Sequence, residues 1–352
     1  MEPLYAAVLA AGLGTRMRSQ WPKVLHGLGG RPMLSYAVAA VEALSPARIV
    51  VVVGHGAEQV RKVLGEGYDY AEQREQLGTG HALRVAVEAL PGAEGDLVVT
   101  YGDMPLLGVE TLRRLLGRHR AAAAGATLLT AMLGPGSRFG RIVRDGAGRF
   151  LRIVEYRDAN GNEQAIPEVN AGVYCFRLAA LRAALPGLGC ANAQGEYYLT
   201  DLFPLLSAAG CGIETVPAES PDELCGPNDR VELAAAEALL RRRINEGWML
   251  RGVTMADPSA TYIEPGVTIG RDTIILPGTT LAGRTEIGEG CILGPAAEIR
   301  DSRLGPGVRV FHSLVVESVL GPGERVGPFI HLNRNTVCGQ PQGVCAPPVN
   351  ML

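Results

Sequence analysis

Ile263, Ile269, Ile275, Leu281, Ile287, Leu293 and Ile299 stand six residues apart without exception. A fixed period sustained over seven positions marks stacked repeats, each burying the apolar face of its neighbour. Pro265-Gly266, Pro277-Gly278 and Gly288-Glu289-Gly290 fall between these aliphatic residues, where the backbone must turn a tight corner every few residues. The alternative, a β-rich domain with accidental spacing, would have to produce the same hit seven times running.

The pattern resembles the left-handed parallel β-helix of hexapeptide-repeat proteins. In that family three hexapeptides make one triangular coil with the aliphatic residue inward, and three chains associate side by side, so the resemblance implies a homotrimer. After about Pro328 the period fails, and His331–Leu352 carries Cys338, Pro341, Cys345, Pro347 and Pro348 with no aliphatic repeat. Ahead of the repeat, Asp229 to Gly247 reads as one helix, with Val231, Leu233, Ala235, Leu239, Leu240 and Ile244 among charged residues and Asn228-Asp229 as its cap. The expected organisation is a first domain over 1–228, a linker helix over 229–250, an incomplete β-helix over 251–330 and an irregular tail over 331–352.

With 352 residues, 47% hydrophobic and 20% charged, the chain has material for two packed domains. A formal net charge of -3 gives no basic field for nucleic acid, so an anionic ligand must be held locally by particular loops. Met1–Gly14 is apolar, but Glu2 replaces a basic leader region and the segment runs into glycines, which favours a buried strand over a signal peptide. No apolar run approaches the roughly 20 residues of a membrane-spanning helix, so neither a span nor an anchor is expected and the cytoplasm is the default. Among seven cysteines, Cys175, Cys190, Cys211, Cys225 and Cys291 are scattered without metal-ligand spacing and read as reduced, mostly buried thiols.

The first part alternates strand-like and helical stretches: Tyr5–Ala11, Pro32–Leu44, Arg48–Val53, Ala57–Leu64, Ala82–Leu90 and Asp96–Tyr101. This is the rhythm of βαβ units, and it predicts an α/β, Rossmann-like domain with a mostly parallel sheet. Such sheets place ligands beyond the carboxyl ends of their strands, which directs attention to the loops after Leu9 and Val99.

The first of these loops is Leu9-Ala10-Ala11-Gly12-Leu13-Gly14-Thr15-Arg16-Met17, followed by Trp21-Pro22-Lys23. Without β-carbons, a loop can turn several N–H groups toward phosphate oxygens, and Arg16 and Lys23 supply positive charge. A glycine-rich loop alone is shared with dinucleotide-binding proteins and plain turns. The whole string Gly-x-Gly-Thr-Arg-Met with Pro-Lys after it resembles the signature of sugar nucleotidyltransferases. From Leu4 to about Pro328 the chain is similar to the bacterial bifunctional N-acetylglucosamine-1-phosphate uridylyltransferase and glucosamine-1-phosphate acetyltransferase family. The specific strings are Glu75-Gln76-Leu77-Gly78-Thr79-Gly80-His81-Ala82 and Asn192-Ala193-Gln194-Gly195-Glu196-Tyr197-Tyr198-Leu199-Thr200-Asp201.

The resemblance implies a set of roles. Leu9, Ala10, Ala11 and Gly12 line the nucleotide site, with Arg16 and Lys23 as catalytic cations on the phosphates. Gln73, Gly78 and Thr79 meet the uracil, where an amide and backbone groups match the base edge. Tyr101 and Gly102 contact substrate, and Asp103 at the end of the strand Leu97-Val98-Val99 holds Mg²⁺ together with the amide oxygen of Asn228. Two protein oxygens suffice for an ion that fills its octahedron with phosphate and water. Gly140, Glu155 and Asn170 accept the sugar, whose hydroxyls and acetamido group suit a carboxylate and an amide. Other readings stay open: Asp103 is also a turn residue before Pro105, Asn228 a helix cap, Glu155 a solvated strand residue and Gln-Leu-Gly-Thr-Gly a turn before a helix.

The implied reaction joins UTP to N-acetylglucosamine-1-phosphate and releases pyrophosphate, supplying UDP-N-acetylglucosamine for peptidoglycan and lipopolysaccharide precursors. Competing readings are a pyrophosphorylase for another sugar phosphate and a non-catalytic sugar-nucleotide sensor or scaffold. The family's second site, with a histidine base and acetyl-CoA, lies farther along the β-helix, and Asn333 stands where the family has an arginine of that site. The expectation is that acetyl transfer is lost, with no role for His312 or His331.

Overall fold

The computed structural model describes residues 2–134 and 136–334, together with the backbone of Val337–Cys338. The prolines and Cys345 of the tail lie outside the described residues. Contacts divide the chain into two compact units, Met1–His26 with Arg31–Leu233, and Gly27–Gly30 with Ala234–Leu352.

In the first unit, strands β1 (Leu4–Leu9), β2 (Arg48–Val53), β3 (Asp69–Glu72), β4 (Asp96–Tyr101), β5 (Ala126–Met132), β6 (Arg141–Arg144), β7 (Phe150–Val154), β8 (Glu168–Arg177) and β9 (Ile213–Pro217) make one sheet. Its order is β9-β5-β8-β4-β1-β2-β3, with β6 and β7 forming an antiparallel pair beside β8. β1 runs parallel to β2 and β4, β2 to β3, and β9 to β5; β8 is antiparallel to both β4 and β5. Residues of β1 bury themselves alternately on the two faces, Ala7 and Leu9 in one apolar cluster, Ala6 and Val8 in the other. A strand covered on both faces has no polar side to show, which is why Met1–Gly14 resembles a leader.

Helices α1 (Met33–Glu42), α2 (Ala57–Leu64), α3 (Thr79–Glu88) and α4 (Val109–Ala121) flank the sheet. The spans read for β2, α2 and β4 match, whereas α3 begins at Thr79, three residues before the sequence suggests, and β1 ends at Leu9. Thr79 opens α3 because Gly78, at φ +107°, turns the chain into it. No helix among the described residues is long and apolar enough to cross a membrane.

The second unit begins in helix α5 (Arg230–Met249), whose buried Asn245 donates its amide to the carbonyls of Pro258 and Thr261 and so fixes the start of the repeat. Beyond it, three parallel five-stranded sheets advance together as a left-handed β-helix. Ile263 pairs with Leu281 and Leu281 with Ile299, and the inward positions Ile275, Leu281, Leu293 and Ile299 are fully buried. After Ile299 the step shortens: Val315 lies beside Ile299, Leu304 beside Ile287 and Leu320 beside Leu304. The strands stay in register while the corners lose residues, so the six-residue rhythm breaks without ending the stack. Against the expected stop near Pro328, His331–Asn333 pairs in parallel with Leu314–Val316.

Candidate active site

The carboxyl ends of β1 and β4 are adjacent, because Leu9 is in register with Tyr101 and the Gly102 N–H donates to the Leu9 carbonyl at 2.9 Å. The two loops singled out in the sequence therefore emerge side by side. They frame a cavity of about 390 Å³ whose wall includes Leu9, Ala10, Ala11, Gly12, Arg16, Lys23, Gln73, Gly78, Thr79, Tyr101, Asp103 and Asn228. A second cavity of about 320 Å³ is lined by Gly140, Glu155 and Asn170 and shares Tyr101, Asp103 and Asn228 with the first. Of the residues expected at a site, Gly102 alone lines neither; it is the turn that carries Asp103 away from the strand.

Where the cavities meet, the Lys23 ammonium lies 2.5 Å from Asp103 Oδ2 and 2.8 Å from Asn228 Oδ1. Lys23 reaches this point because Gly14, at φ +60°, leaves room: a β-carbon there would lie 2.5 Å from Lys23 Cβ. The cap reading of Asn228 is excluded, since Asp229 Oδ1 accepts from the N–H groups of Val231 and Glu232 and is itself the cap of α5. The Asn228 amide nitrogen is spent on the Gly226 carbonyl at 3.0 Å and Glu232 Oε2 at 3.1 Å, which leaves its oxygen facing the cavity. Glu232 also accepts the Asn228 backbone N–H at 2.7 Å. Sequence reasoning missed Glu232; its position one helical turn beyond Asn228 is the only hint.

In the first cavity Gln73 is buried and donates its amide to the Gly78 carbonyl at 3.0 Å, with His81 Nδ1 at 3.1 Å, so its side-chain oxygen is the group left for a ligand. The two strings that carried the resemblance pack on one another. Gly80 N–H donates to the Tyr197 carbonyl, Tyr197 N–H to the Leu77 carbonyl, and Leu199 N–H to Thr79 Oγ1. Gly12 has open space where its β-carbon would be, toward the cavity, and the Arg16 guanidinium at the rim has no hydrogen-bond or ion-pair partner among the described residues.

In the second cavity the Asn170 N–H donates to the Gly140 carbonyl, and a β-carbon on Gly140 would crowd Ile153 at 3.1 Å and Glu155 at 3.4 Å. Glu155 is not a solvated strand residue: Thr200 Oγ1 donates to it at 2.9 Å, and burial pushes its carboxyl above the ordinary value, with nearby Asp201 and Asp158 adding repulsion. Tyr101, wedged between the cavities, has its phenol driven up by burial and by the neighbouring carboxylates.

No cluster of three or more His, Cys, Asp or Glu side chains suits a metal ion among the described residues. The chemistry of Asp103 and Asn228 nevertheless fits one: a carboxylate and a fixed amide oxygen converge on a single point, which the Lys23 ammonium already occupies as a stand-in cation.

A mostly parallel sheet with a glycine-rich turn, cations and a convergent oxygen pair at its carboxyl edge defines a nucleotidyltransferase, and the pattern of MobA-like NTP transferase domains matches residues 6–147. Bacterial transferase hexapeptide repeats match residues 266–301. The chain belongs to the family of the bifunctional protein GlmU. It is 48% identical to that protein from Halalkalibacterium halodurans, over 94% of this chain and 73% of the relative. It is 46% identical to those of Caldanaerobacter subterraneus, over 96% and 73%, and Enterococcus faecalis, over 94% and 72%. A putative glucose-1-phosphate thymidylyltransferase from Bacillus anthracis, crystallised with sucrose, shares the fold at 20% identity and a TM-score of 0.55, over 67% of this chain and 94% of that one. As a member of the GlmU family the chain is a UDP-N-acetylglucosamine pyrophosphorylase, a metal-dependent nucleotidyltransferase of cell-wall precursor synthesis.

Proposed function

We propose that the first cavity takes UTP, the second N-acetylglucosamine-1-phosphate, and that Asp103 and Asn228 hold Mg²⁺ between them. The observation that carries this reading is the convergence of Lys23, Asp103 and Asn228 where two cavities of ligand size share a wall. A bound Mg²⁺ supplies charge neutralisation for the reacting phosphates. Gln73 offers its free oxygen to the base, and the loop from Leu9 to Gly12 offers backbone to the phosphates. Arg16 and Lys23 balance the charge that develops as an oxygen of the sugar phosphate bonds to the α-phosphorus and the bond from that phosphorus to pyrophosphate breaks. Lys23 leaves the oxygens of Asp103 and Asn228 for the phosphates in this scheme. No side chain is a covalent nucleophile, because the acceptor phosphate already is one.

Glu155 and Asn170 orient the sugar ring, with Gly140 leaving room for it. The domain roles follow: residues 1–228 carry nucleotidyl transfer, 229–250 is the linker helix, and 251–330 is the repeat through which three chains associate. The cytoplasm, where both substrates are made available, is the site of action. The family's acetyl transfer stays outside this reading, which rests on residues up to Asn228.

A coupled pyrophosphate-release assay with UTP, Mg²⁺ and a panel of sugar-1-phosphates tests the reading. Release with the acetylated amino sugar in preference to glucose-1-phosphate supports it. Equal release with other sugars would assign a different pyrophosphorylase, and binding of UDP-sugar without turnover would assign a sensor.

A further inference from the structure

Tyr174 lines the second cavity, yet nothing in the reaction as described uses it. It is almost fully buried, its ring packed on Phe176 and Phe203 at centroid separations of 5.8 and 5.7 Å. A phenol hydroxyl in such surroundings must find a partner, and here it finds one. Asn170 Nδ2 donates to Tyr174 Oη at 2.8 Å. The register of β8 slips between Asn170 and Tyr174, a bulge that turns both side chains toward the same cavity. Within the bulge Gly172 is at φ +76°, and a β-carbon there would lie 2.8 Å from the Tyr101 ring, so the tyrosine packs directly on this kink.

The Asn170 oxygen takes the Gly172 N–H at 3.2 Å, which sets the plane of the amide and aims its remaining hydrogen.

We infer that Tyr174 is a positioning residue: by accepting from the Asn170 amide across the bulge of β8, it fixes that amide for the acceptor sugar. The inference rests on the sugar-pocket reading above. Tyr174→Phe removes one oxygen and keeps the ring. It should raise KM for the sugar phosphate roughly 3- to 10-fold, the worth of one misaligned hydrogen bond, with KM for UTP and the melting temperature little changed. Added to Asn170→Ala, it should cost nothing further, because both break the same link.

An unchanged KM for the sugar phosphate, or a joint fall of kcat, both affinities and thermal stability, would overturn it in favour of a core residue. If the wild-type chain shows no turnover with N-acetylglucosamine-1-phosphate, the substrate reading fails, and the link is judged without ligand. In protein carrying ¹⁵N-asparagine, Tyr174→Phe should displace the side-chain amide signal that Asn170→Ala removes; no displacement would refute the link itself.

Discussion

At the residue scale, the site depends on side chains whose second functions hold the first in place. Asp103→Asn keeps the shape of the side chain but removes the carboxylate that faces Lys23 at the seam. Turnover should fall by about 100-fold or more at an unchanged melting temperature; near-normal turnover in a stopped pyrophosphate assay would end the metal assignment. Glu232 acts one step back, since it occupies the Asn228 amide nitrogen and so presents the amide oxygen. Glu232→Ala should weaken Mn²⁺ binding, followed by the electron paramagnetic resonance of free ion, by about 10-fold. Glu232→Gln, which retains an accepting oxygen, should recover most of it, and equal binding in all three proteins would show that Asn228 needs no such support.

At the element scale, the strands and helices legible in the sequence are those with a single apolar rhythm, such as Arg48–Val53 and Ala57–Leu64. β8 escaped because its alternation is interrupted by the bulge that serves the second cavity. Tyr174, Thr200 and Glu232 escaped because each acts on a neighbour, through bonds that spacing along the chain does not encode. The joint of β3 and α3 offers a test. Gly78→Ala places a methyl 2.6 Å from the Tyr197 carbonyl at a backbone angle L residues avoid, and should cost about 1–3 kcal/mol of stability by chemical denaturation. A neutral result would mean that the two strings are not held together there.

α4 provides a test by pH. His119 is fully buried beside Asp96, with Nδ1 2.9 Å from Thr127 Oγ1; burial lowers its pKa below 6.5, a larger effect than the raising influence of Asp96. Below pH 6.5 the unfolded chain takes up this proton before the folded one, so the contribution is present above 6.5 and is lost as the pH falls through the folded value. Melting temperature should therefore drop on acidification from pH 7, and less steeply in His119→Gln. Parallel slopes for the two proteins would assign the loss to other groups.

At the scale of the whole molecule, the β-helix leaves Ile274 and Val319 partly exposed on its outer strands, apolar surface of the kind neighbouring chains cover. Light scattering should return three times the 37.1 kDa chain mass; a monomer at micromolar concentration would refute assembly through the repeat. The inward residues from Ile263 to Ile299 made this unit legible before any coordinate was known, whereas the shortened corners beyond Ile299 hid its later coils, because a changed step leaves no period to count.

The second compact unit is discontinuous: Gly27–Gly30 belongs to it, and the Gly29 N–H donates to Glu237 at 2.7 Å. During synthesis these four residues leave the ribosome long before α5 exists. At typical elongation rates the wait is roughly ten to forty seconds. Asn228, the second oxygen of the seam, is equally late, so a nascent chain long enough to fold β1 through β9 still has a half-built site. Catalytic competence and the seating of Gly27–Gly30 on α5 thus arrive within a few residues of each other, and the ribosome sets the clock for both.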